Sequence, residues 1–338
     1  MTSHNTVLVT GGAGFIGSHA VDNLRRRGLR VRIVDNLSGG RLSNLVQHES
    51  DEEVQFTEAD IQSLDSNSSV FREVDFILHF AGIGDIVPSV ERPADYMDTN
   101  VMGTVRVLEG ARAAGVRRVV YAASSSCYGS NPPLPTREDS PISPEYPYAL
   151  SKYLGEQAAL HWAQVYSLGV NSIRIFNAYG TRSRTSGAYG AVFGVFLRQK
   201  LAGVPFTVVG DGTQSRDFVY VTDVAEAFVR AGLTDVEGRI WNLGSNSPHS
   251  VNRLIELLEG TVVYLPTRPG EPDTTWADTG RIIEDLGWRP EVSFEEGVSR
   301  VLANIDYWAD APLWDADSID RATRMWFTLL ESQDEIQP

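Results

Sequence analysis

The feature that most constrains the fold of this chain is the glycine-rich segment VTGGAGFIGSH at residues 9–19. It follows a β-branched run at 6–10 and opens a helical pattern over 15–27. Its glycines fit two overlapping dinucleotide-binding spacings, namely Gly12, Gly14 and Gly17, and Gly11, Gly14 and Gly17. Such glycines permit a tight turn and let a pyrophosphate approach the N-terminus of the helix. The segment therefore predicts the strand–loop–helix unit that begins a parallel α/β fold.

An acidic residue stands at the position that such a unit requires. Asp35 ends the run VRIVD, 18 residues beyond Gly17. Its carboxylate can accept hydrogen bonds from the adenosine ribose and would repel a 2′-phosphate, which favours NAD over NADP. The alternative is that Asp35 only closes a turn at the end of its strand. Asp60 and Ile61, after the next strand, are expected beside the adenine.

The first half of the chain alternates apolar strand runs with helical segments. This alternation predicts a Rossmann-type, doubly wound parallel sheet with helices on both faces. A smaller, partly interleaved C-terminal substrate-binding domain is expected beside it, and a strand–helix unit at 216–232 is expected to rejoin the first sheet. The predicted strands are 6–10, 31–35, 54–60, 75–82 and 117–124. The predicted units are a cofactor domain (1–176 plus about 217–239), a substrate domain (about 177–216 and 240–302) and a helical extension (303–338) docked by its tryptophans.

Composition excludes several classes of function. A formal charge of −15 argues against a nucleic-acid partner, which requires clustered positive charge. The six histidines have no metal-ligand spacing, so no metal is expected. No apolar run is long enough to span a membrane, and no signal peptide is evident. The single cysteine, Cys127, favours a buried structural thiol in a reducing cytoplasm.

The segment YPYALSK places Tyr148 and Lys152 four residues apart, on one face of a predicted helix. Lys152 and Lys200 are the only lysines, so the other members of the 29 basic residues are arginines. A compact ammonium with rotatable donors differs chemically from the planar fork of arginine. Retention of lysine at 152 therefore indicates a specific requirement, whereas Tyr146 is expected to point elsewhere.

Nine segments in chain order resemble the extended short-chain dehydrogenase/reductase family and, within it, the nucleotide-sugar epimerases of the NAD-dependent epimerase/dehydratase group. The resemblance runs from about residue 6 to about residue 300. The segments are TGGAGFIGSH, DNLSGGR, HFAG, DTNVMGT, SSSCYG, YALSK, RIFNAYG, GDGTQSRDFVYVTDV and RPGEPDTTWAD. Any one could occur by chance, whereas nine in order are specific.

The resemblance implies the catalytic residues. Tyr148 would be the acid/base, Lys152 its support, and Ser124 the third member of the triad. A free tyrosine titrates at about pH 10, so a neighbouring ammonium and the positive nicotinamide ring would favour its phenolate. The proposed cycle oxidises the sugar at C4 and reduces the resulting ketone from its opposite face.

The resemblance also implies NAD as cofactor, a nucleotide-diphosphate sugar as substrate, and a homodimer formed through a bundle that contains the 148–165 helix. The implied cofactor-binding residues are Gly11, Gly14, Phe15, Ile16, Gly17, Asp35, Asn36, Ser38, Gly39, Asp60, Ile61, Phe80, Ala81, Gly82, Asn100, Tyr148 and Lys152. The implied substrate-binding residues are Ser124, Ser126, Tyr148, Asn177, Arg216, Arg268, Glu271 and Thr275.

Alternatives remain within and outside this chemistry. Family dehydratases usually carry Asp-Glu, and decarboxylases a glutamate, where this chain has Ser125 and Ser126. A dehydratase, decarboxylase or 4-reductase is therefore the second enzyme reading, and a non-catalytic dinucleotide sensor the third. Thr275 stands where a bulky tyrosine in some members excludes N-acetyl sugars, so a UDP-hexose and a UDP-N-acetylhexosamine are both candidate substrates.

Overall fold

The computed structural model describes residues 6–183, 192–267 and 271–334, with side chains as far as residue 329. The strands are β1 (Thr6–Thr10), β2 (Arg30–Asp35), β3 (Val54–Glu58), β4 (Phe76–His79), β5 (Arg118–Ser124), β6 (Gly169–Ile175), β7 (Asn177–Tyr179), β8 (Phe206–Val209), β9 (Ser215–Arg216), β10 (Phe218–Tyr220), β11 (Ile240–Leu243), β12 (His249–Ser250) and β13 (Val262–Leu265). The helices are α1 (Phe15–Arg26), α2 (Pro93–Tyr96), α3 (Thr104–Ala114), α4 (Pro147–Tyr166), α5 (Val192–Ala202), α6 (Val221–Leu233), α7 (Val251–Leu258), α8 (Gly280–Leu286), α9 (Phe294–Leu302) and α10 (Ala316–Asp334).

Seven parallel strands form the main sheet in the order β3-β2-β1-β4-β5-β6-β11. Its central strand β1 is buried on both faces, as the continuous apolar run VLV requires. In register, Val7 lies opposite Val31 of β2 and Phe76 of β4. The strand order reverses between β1 and β4, where open α/β sheets have their ligand crevice at the carboxyl ends. The predicted doubly wound parallel sheet is confirmed.

Helices cover both faces of this sheet because each has one apolar side. On one face α1 and α6 pack together over β1 and β4, with Leu24 and Phe228 fully buried. On the other face α3 and α4 pack over β5 and β6, with Leu108 and Ala159 fully buried. This layering places the start of α1 and the start of α4 at the same edge of the sheet.

Two strands are shorter in the structure than the sequence predicts. The strand predicted over 54–60 ends at Glu58, because the Asp60 side chain accepts the Gln62 backbone N–H and starts a turn. The strand predicted over 75–82 is limited to β4, since Phe80 already begins the connection past the end of the sheet. Both corrections move residues predicted to bind the cofactor from strands into loops.

The prediction that the unit at 216–232 rejoins the first sheet is wrong for its strand. β10 pairs with β7 in a separate two-stranded sheet, and only α6 packs on the main sheet. The seventh strand of the main sheet is β11, within the predicted substrate segment 240–302. Its fully buried Trp241 and Leu243 explain this placement, because both pack into the core beneath α6 and α8.

The second half of the chain has its own aromatic core. It joins α5, α7, α9 and the short parallel pair β8 and β13. The predicted docking of the C-terminal extension by its aromatic side chains is confirmed, since Trp308 and Trp326 are 0% and 2% exposed and Trp314 is half-buried against this core. Within the described ranges, no helix combines the length and apolar character needed to cross a bilayer.

Candidate active site

The glycine loop connects β1 to α1 through unusually close backbone contacts. Gly11 has φ +70°, and a Cβ there would lie 2.7 Å from the backbone nitrogen of Ala81. A Cβ on Gly17 would clash with the carbonyl oxygen of Gly11. Gly14 caps α1 without any side chain, and the first helical turn carries no acid. The loop therefore leaves the positive end of α1 open to an anionic group, and these residues fit the pyrophosphate of a dinucleotide.

Asp35 ends β2, and its carboxylate binds the backbone of this loop. Its Oδ2 accepts the Ala13 backbone N–H at 3.0 Å, and its Oδ1 accepts the Leu37 N–H at 2.8 Å. Burial raises the pKa of Asp35, while these backbone hydrogen bonds lower it. Asp35 therefore has the turn-closing role named as the alternative. With the backbone hydrogen bond from Gly14, three N–H groups bind a carboxylate that can accept about four, so a contact with a ribose hydroxyl is compatible with this role.

The residues expected at the adenine end form one hydrogen-bonded group. Asn36 donates to Asp60 Oδ2 at 2.8 Å, and its own side-chain oxygen accepts the Ser38 hydroxyl at 2.7 Å. Ile61 is buried and contacts the helix that precedes α3. Asn36, Ser38 and Gly39 are exposed, which leaves them accessible to a ligand.

The segment after β4 forms the opposite wall of the crevice. Phe80 packs on Phe228 with 4.5 Å between ring centroids, and Ala81 lies against Gly11. A Cβ on Gly82 would lie 2.8 Å from Asn100 Oδ1 and 3.7 Å from Lys152 Nζ. The crevice between β1 and β4 is therefore bounded by the predicted cofactor residues on both sides.

Asn100 lies in a π-helical turn, Met97–Gly103, and acts as a clamp. Its Oδ1 accepts the Ile83 N–H at 2.8 Å, and its Nδ2 donates to the Ile83 carbonyl at 3.1 Å and to Ser151 Oγ at 2.9 Å. These bonds tie the loop after β4 to α4. The observed role of Asn100 is thus to hold the catalytic helix in place, and direct cofactor contact stays a prediction.

The start of α4 and the end of β5 bring the predicted triad together. Pro147 occupies the first turn of α4, a position where its missing N–H costs nothing. Tyr148 makes a hydrogen bond with the Ser124 hydroxyl, whose oxygen also lies 3.1 Å from Ser126 Oγ. Burial raises the pKa of Tyr148, and the Ser124 hydrogen bond lowers it. Ser124 is therefore the protein group that favours the phenolate.

Lys152 lies one turn further along α4 and is buried. Its Nζ sits 4.6 Å from the centroid of the Tyr121 ring, a cation–π contact. Burial lowers the pKa of Lys152 to about 8, against the charge of Glu156, which raises it. The ammonium thus contacts an aromatic face and is stabilised by the charge of Glu156. The expected lowering of the Tyr148 pKa by Lys152 does not appear among the shifts that its neighbours produce.

A buried ion pair fixes the position of α4, and it was not anticipated from the sequence. Glu156 binds Arg174 of β6 at 2.6 Å and accepts the Ser172 hydroxyl at 2.7 Å. Arg174 also donates to the Tyr128 hydroxyl at 2.7 Å. The sequence feature that could have indicated this role is the spacing, because Glu156 follows Lys152 by one further turn on the same helix face.

The described substrate residues form a second cluster where β7, β9 and the segment after residue 270 meet. Thr275 donates its hydroxyl to Asn177 Oδ1 at 2.7 Å and accepts the Asp217 N–H at 3.0 Å. Arg216 lies 3.6 Å from Glu271 and donates to the Pro272 carbonyl at 2.7 Å. Arg268 lies outside the described residues. Among the described residues, no three His, Cys, Asp or Glu side chains are grouped so as to hold a metal.

Tyr146 belongs to the catalytic cluster, contrary to the expectation that it points elsewhere. Its ring is nearly parallel to that of Tyr148, at 6.5 Å between centroids and 9° between planes. Burial raises the pKa of Tyr146, a hydrogen bond with Ser126 lowers it, and the charge of Glu271 raises it further. Tyr146 therefore links the catalytic and substrate clusters. The following proline was the available signal, since it holds Tyr146 in an extended conformation.

Comparison with known proteins agrees with this geometry. Residues 7–244 match the model of the NAD-dependent epimerase/dehydratase family. A UDP-glucose 4-epimerase of Mycolicibacterium smegmatis is 38% identical over 303 residues, covering 87% of this chain and 96% of that protein.

Solved structures of this architecture include enzymes of more than one activity. A UDP-glucose 4-epimerase of Thermotoga maritima, solved with UDP-glucose, is 32% identical with a TM-score of 0.82, covering 90% of this chain and 98% of the other. A dTDP-glucose 4,6-dehydratase of Streptomyces venezuelae, solved with NAD, is 30% identical with the same TM-score of 0.82 and the same coverage of both chains. The predicted family, fold and cofactor are thereby confirmed: the chain belongs to the NAD-dependent epimerase/dehydratase family.

Proposed function

We propose that this protein is an NAD-dependent epimerase that inverts C4 of a nucleotide-diphosphate sugar through a transient 4-keto sugar. One observation carries the proposal, namely that Ser124, Tyr148 and Lys152 assemble beside the glycine crevice. The positions next to the triad serine, where dehydratases of the family carry carboxylates, hold Ser125 and Ser126. The site is therefore equipped for proton transfer to and from one hydroxyl.

The chain's own residues would move a proton and hold the sugar. Tyr148 takes the proton of the C4 hydroxyl and later returns it, with Ser124 in hydrogen-bond reach of both oxygens. NAD, held by the glycine loop and Asp35, supplies the redox chemistry at C4 when bound. Lys152 is positioned near Gly82 on the cofactor side of the crevice. Burial raises the pKa of Tyr148 and the Ser124 hydrogen bond lowers it, and the positive charge of bound NAD would lower it further.

The second cluster is the candidate site for the nucleotide diphosphate. Arg216 has a largely buried guanidinium, with 13% of its side chain exposed, and is oriented by backbone carbonyls. An oriented guanidinium binds phosphate through charge-assisted hydrogen bonds. Asn177 and Arg268 would add phosphate contacts, and Glu271 a contact to the nucleotide ribose. The division of the chain into a cofactor domain and a substrate domain follows this separation of the two clusters and is part of the proposal.

The proposed sugar is a UDP-hexose or a UDP-N-acetylhexosamine. Thr275 is a small side chain in the substrate cluster and leaves space that a tyrosine would fill. Its hydroxyl already binds Asn177 and Asp217. Thr275 therefore influences substrate choice through its size and not by donating a hydrogen bond to the sugar.

Product analysis tests this function against its alternatives. Purified protein loaded with NAD is incubated with UDP-, dTDP-, GDP- and CDP-sugars, and the products are identified by NMR. An epimerase gives a C4 isomer of unchanged mass, whereas a dehydratase, decarboxylase or 4-reductase changes the mass. NAD binding without any product from the panel would favour the sensor and refute the proposal.

A homodimer through α4 is part of the proposal. Leu150 and Leu154 lie one turn apart on α4 and are 37% and 38% exposed. Met102, in the turn that packs against α4, is 50% exposed. Exposed apolar side chains grouped on one face support burial against a second copy. Sedimentation equilibrium of the purified protein measures its mass, and a monomer at micromolar concentration would refute this part.

The proposed compartment is the cytoplasm. Cys127 is buried, and burial raises the pKa of its thiol to about 12, so it is unreactive towards disulfide exchange. A lone inert thiol is compatible with a reducing environment. Cell fractionation with antibody detection tests this assignment.

A further inference from the structure

The C-terminal helix α10 reaches the catalytic centre through one buried tryptophan. Trp326 is 2% exposed and packs with Val87, Val90 and Tyr146. Met325 and Leu329 on the same helix are 47% and 45% exposed. Trp326 also lies beyond residues 7–244, the part of the chain that the family model matches. α10 is therefore docked along one side, and its contact with the active site is an addition to the family's core.

Trp326 ends a line of aromatic rings that includes the catalytic tyrosine. Its centroid is 5.0 Å from that of Tyr146, and the Tyr146 ring lies 6.5 Å from Tyr148 with 9° between the planes. On the other side, the edge of Tyr96 meets Tyr148 at 6.5 Å and 83°. Rings in these arrangements attract one another weakly but directionally. Tyr148 is thus held between two aromatic neighbours.

The two neighbours differ in what secures them. Tyr96 is fully buried and donates its hydroxyl to the Asp85 carbonyl at 2.6 Å. Tyr146 precedes α4, is half-buried, and makes a hydrogen bond with Ser126. Its ring is supported from behind by Trp326. Loss of Trp326 would therefore leave the Tyr146 ring held by the Ser126 hydrogen bond alone and free to tilt, while the contacts of Tyr96 stay unchanged.

We propose that Trp326 is a positioning residue for Tyr148 and acts through Tyr146. The proposal rests on the proposed function, because it assigns a role to Tyr148 as the acid/base. Proton transfer requires the phenol within hydrogen-bond reach of the sugar hydroxyl, and a small displacement of a catalytic group lowers the rate. The opposite end of α10 is anchored by the buried Ile319 in the second core, so the helix connects that core to the catalytic tyrosine.

Substitutions at Trp326 test the role by steady-state kinetics. Trp326→Leu keeps apolar bulk for docking but removes the ring, and we expect kcat to fall about tenfold with KM changed less than about twofold. Trp326→Phe keeps a ring face and should restore most of kcat. Met325→Ala, on the exposed side of the same turn, is the matched control and should match the wild type. Wild-type kcat in Trp326→Leu would overturn the proposal.

A double-mutant cycle tests whether Tyr146 transmits the effect. In a Tyr146→Ala background the change at Trp326 should lower kcat no further, because the intermediate ring is already gone. If kcat of the double variant falls by the product of the two single-variant losses, Trp326 acts by another route and the proposal is overturned.

A titration tests the same inference without catalysis. The phenolate absorbance of each variant, minus that of its Tyr148→Phe counterpart, reports Tyr148 alone. Burial is the main cause of the raised Tyr148 pKa, so Trp326→Leu should lower that pKa by admitting water. An unchanged titration would overturn the positioning role. If the wild type forms no epimer but the Tyr148 pKa still differs between the wild type and Trp326→Leu, the proposed function is refuted and this inference remains intact.

Discussion

Glu156 and Arg174 form an ion pair of 2.6 Å between α4 and β6, with 1% and 3% of their side chains exposed. Because Glu156 lies one turn beyond Lys152, this pair fixes the rotation of the catalytic helix about its axis. Arg174 extends the link to Tyr128, whose hydroxyl donates to Asn242 Oδ1 at 2.7 Å. The predicted catalytic side chains are therefore positioned by a buried polar network whose members, Glu156, Arg174, Tyr128 and Asn242, are not themselves predicted ligand-binding residues.

Breaking this pair should destabilise the protein strongly. Glu156→Gln leaves the Arg174 guanidinium buried without its counter-charge, and we expect a loss of about 3–5 kcal/mol in the free energy of unfolding. Urea denaturation followed by circular dichroism measures it. Glu256→Gln is the matched control, because its pair with Arg253 is exposed and should cost less than about 1 kcal/mol. Equal losses for the two variants would contradict the assigned role of Glu156.

Lys152→Arg should remove most of the activity although it keeps the charge. The larger planar guanidinium does not fit between the Tyr121 ring and Gly82, and its donors point differently from those of an ammonium. We expect kcat to fall on the order of 100-fold, the scale of an acid–base contribution. Lys200→Arg is the control, since Lys200 donates to two backbone carbonyls at the end of α7, away from the predicted site. Near-normal turnover in Lys152→Arg would refute this explanation of the retained lysine.

The pH dependence of kcat/KM should have a falling limb above about pH 8. Burial lowers the pKa of Lys152 to about 8, so the ammonium is present below that pH and is lost above it. Because kcat/KM reports the free enzyme, the limb should appear there. The linked free energy of unfolding should rise from about pH 8 towards the ordinary lysine pKa, since the unfolded chain binds the additional proton in that interval. A profile that stays level through this range would contradict the assignment.

Substitutions of Thr275 should separate the effect of its size from that of its hydroxyl. Thr275→Tyr should abolish use of an N-acetylated substrate and spare the plain hexose, because the added ring fills the space for the acetamido group. Thr275→Val keeps the size but removes the bonds to Asn177 and Asp217, and should raise KM about tenfold for both substrates alike.

Competition assays with the two sugars measure this ratio directly. A Thr275→Tyr variant that loses both substrates equally would refute the proposed discrimination. A Thr275→Val variant that changes the ratio would show that the hydroxyl itself selects the sugar.

Several features of this site were already visible in the sequence because they depend on local spacing. A strand, a glycine turn and a helix follow one another in the chain, so Gly11, Gly14 and Gly17 predict the crevice without knowledge of distant contacts. Tyr148 and Lys152 fall on adjacent helical turns, and their relation follows from helix geometry alone. These local relations predicted the family and the doubly wound sheet, which are confirmed, and the triad, which stays a prediction.

Other features were decided only when the chain folded, because they join segments that are distant along the chain. The apolar sequence of β11 does not indicate which sheet the strand joins. Its position beside β6 follows from the burial of Trp241. Trp326 meets Tyr146 only because α10 packs back against Val87 and Val90. The sequence by itself predicted which residues do the chemistry. The tertiary structure decided which residues hold them in place, since burial and ring stacking depend on contacts that no local pattern records.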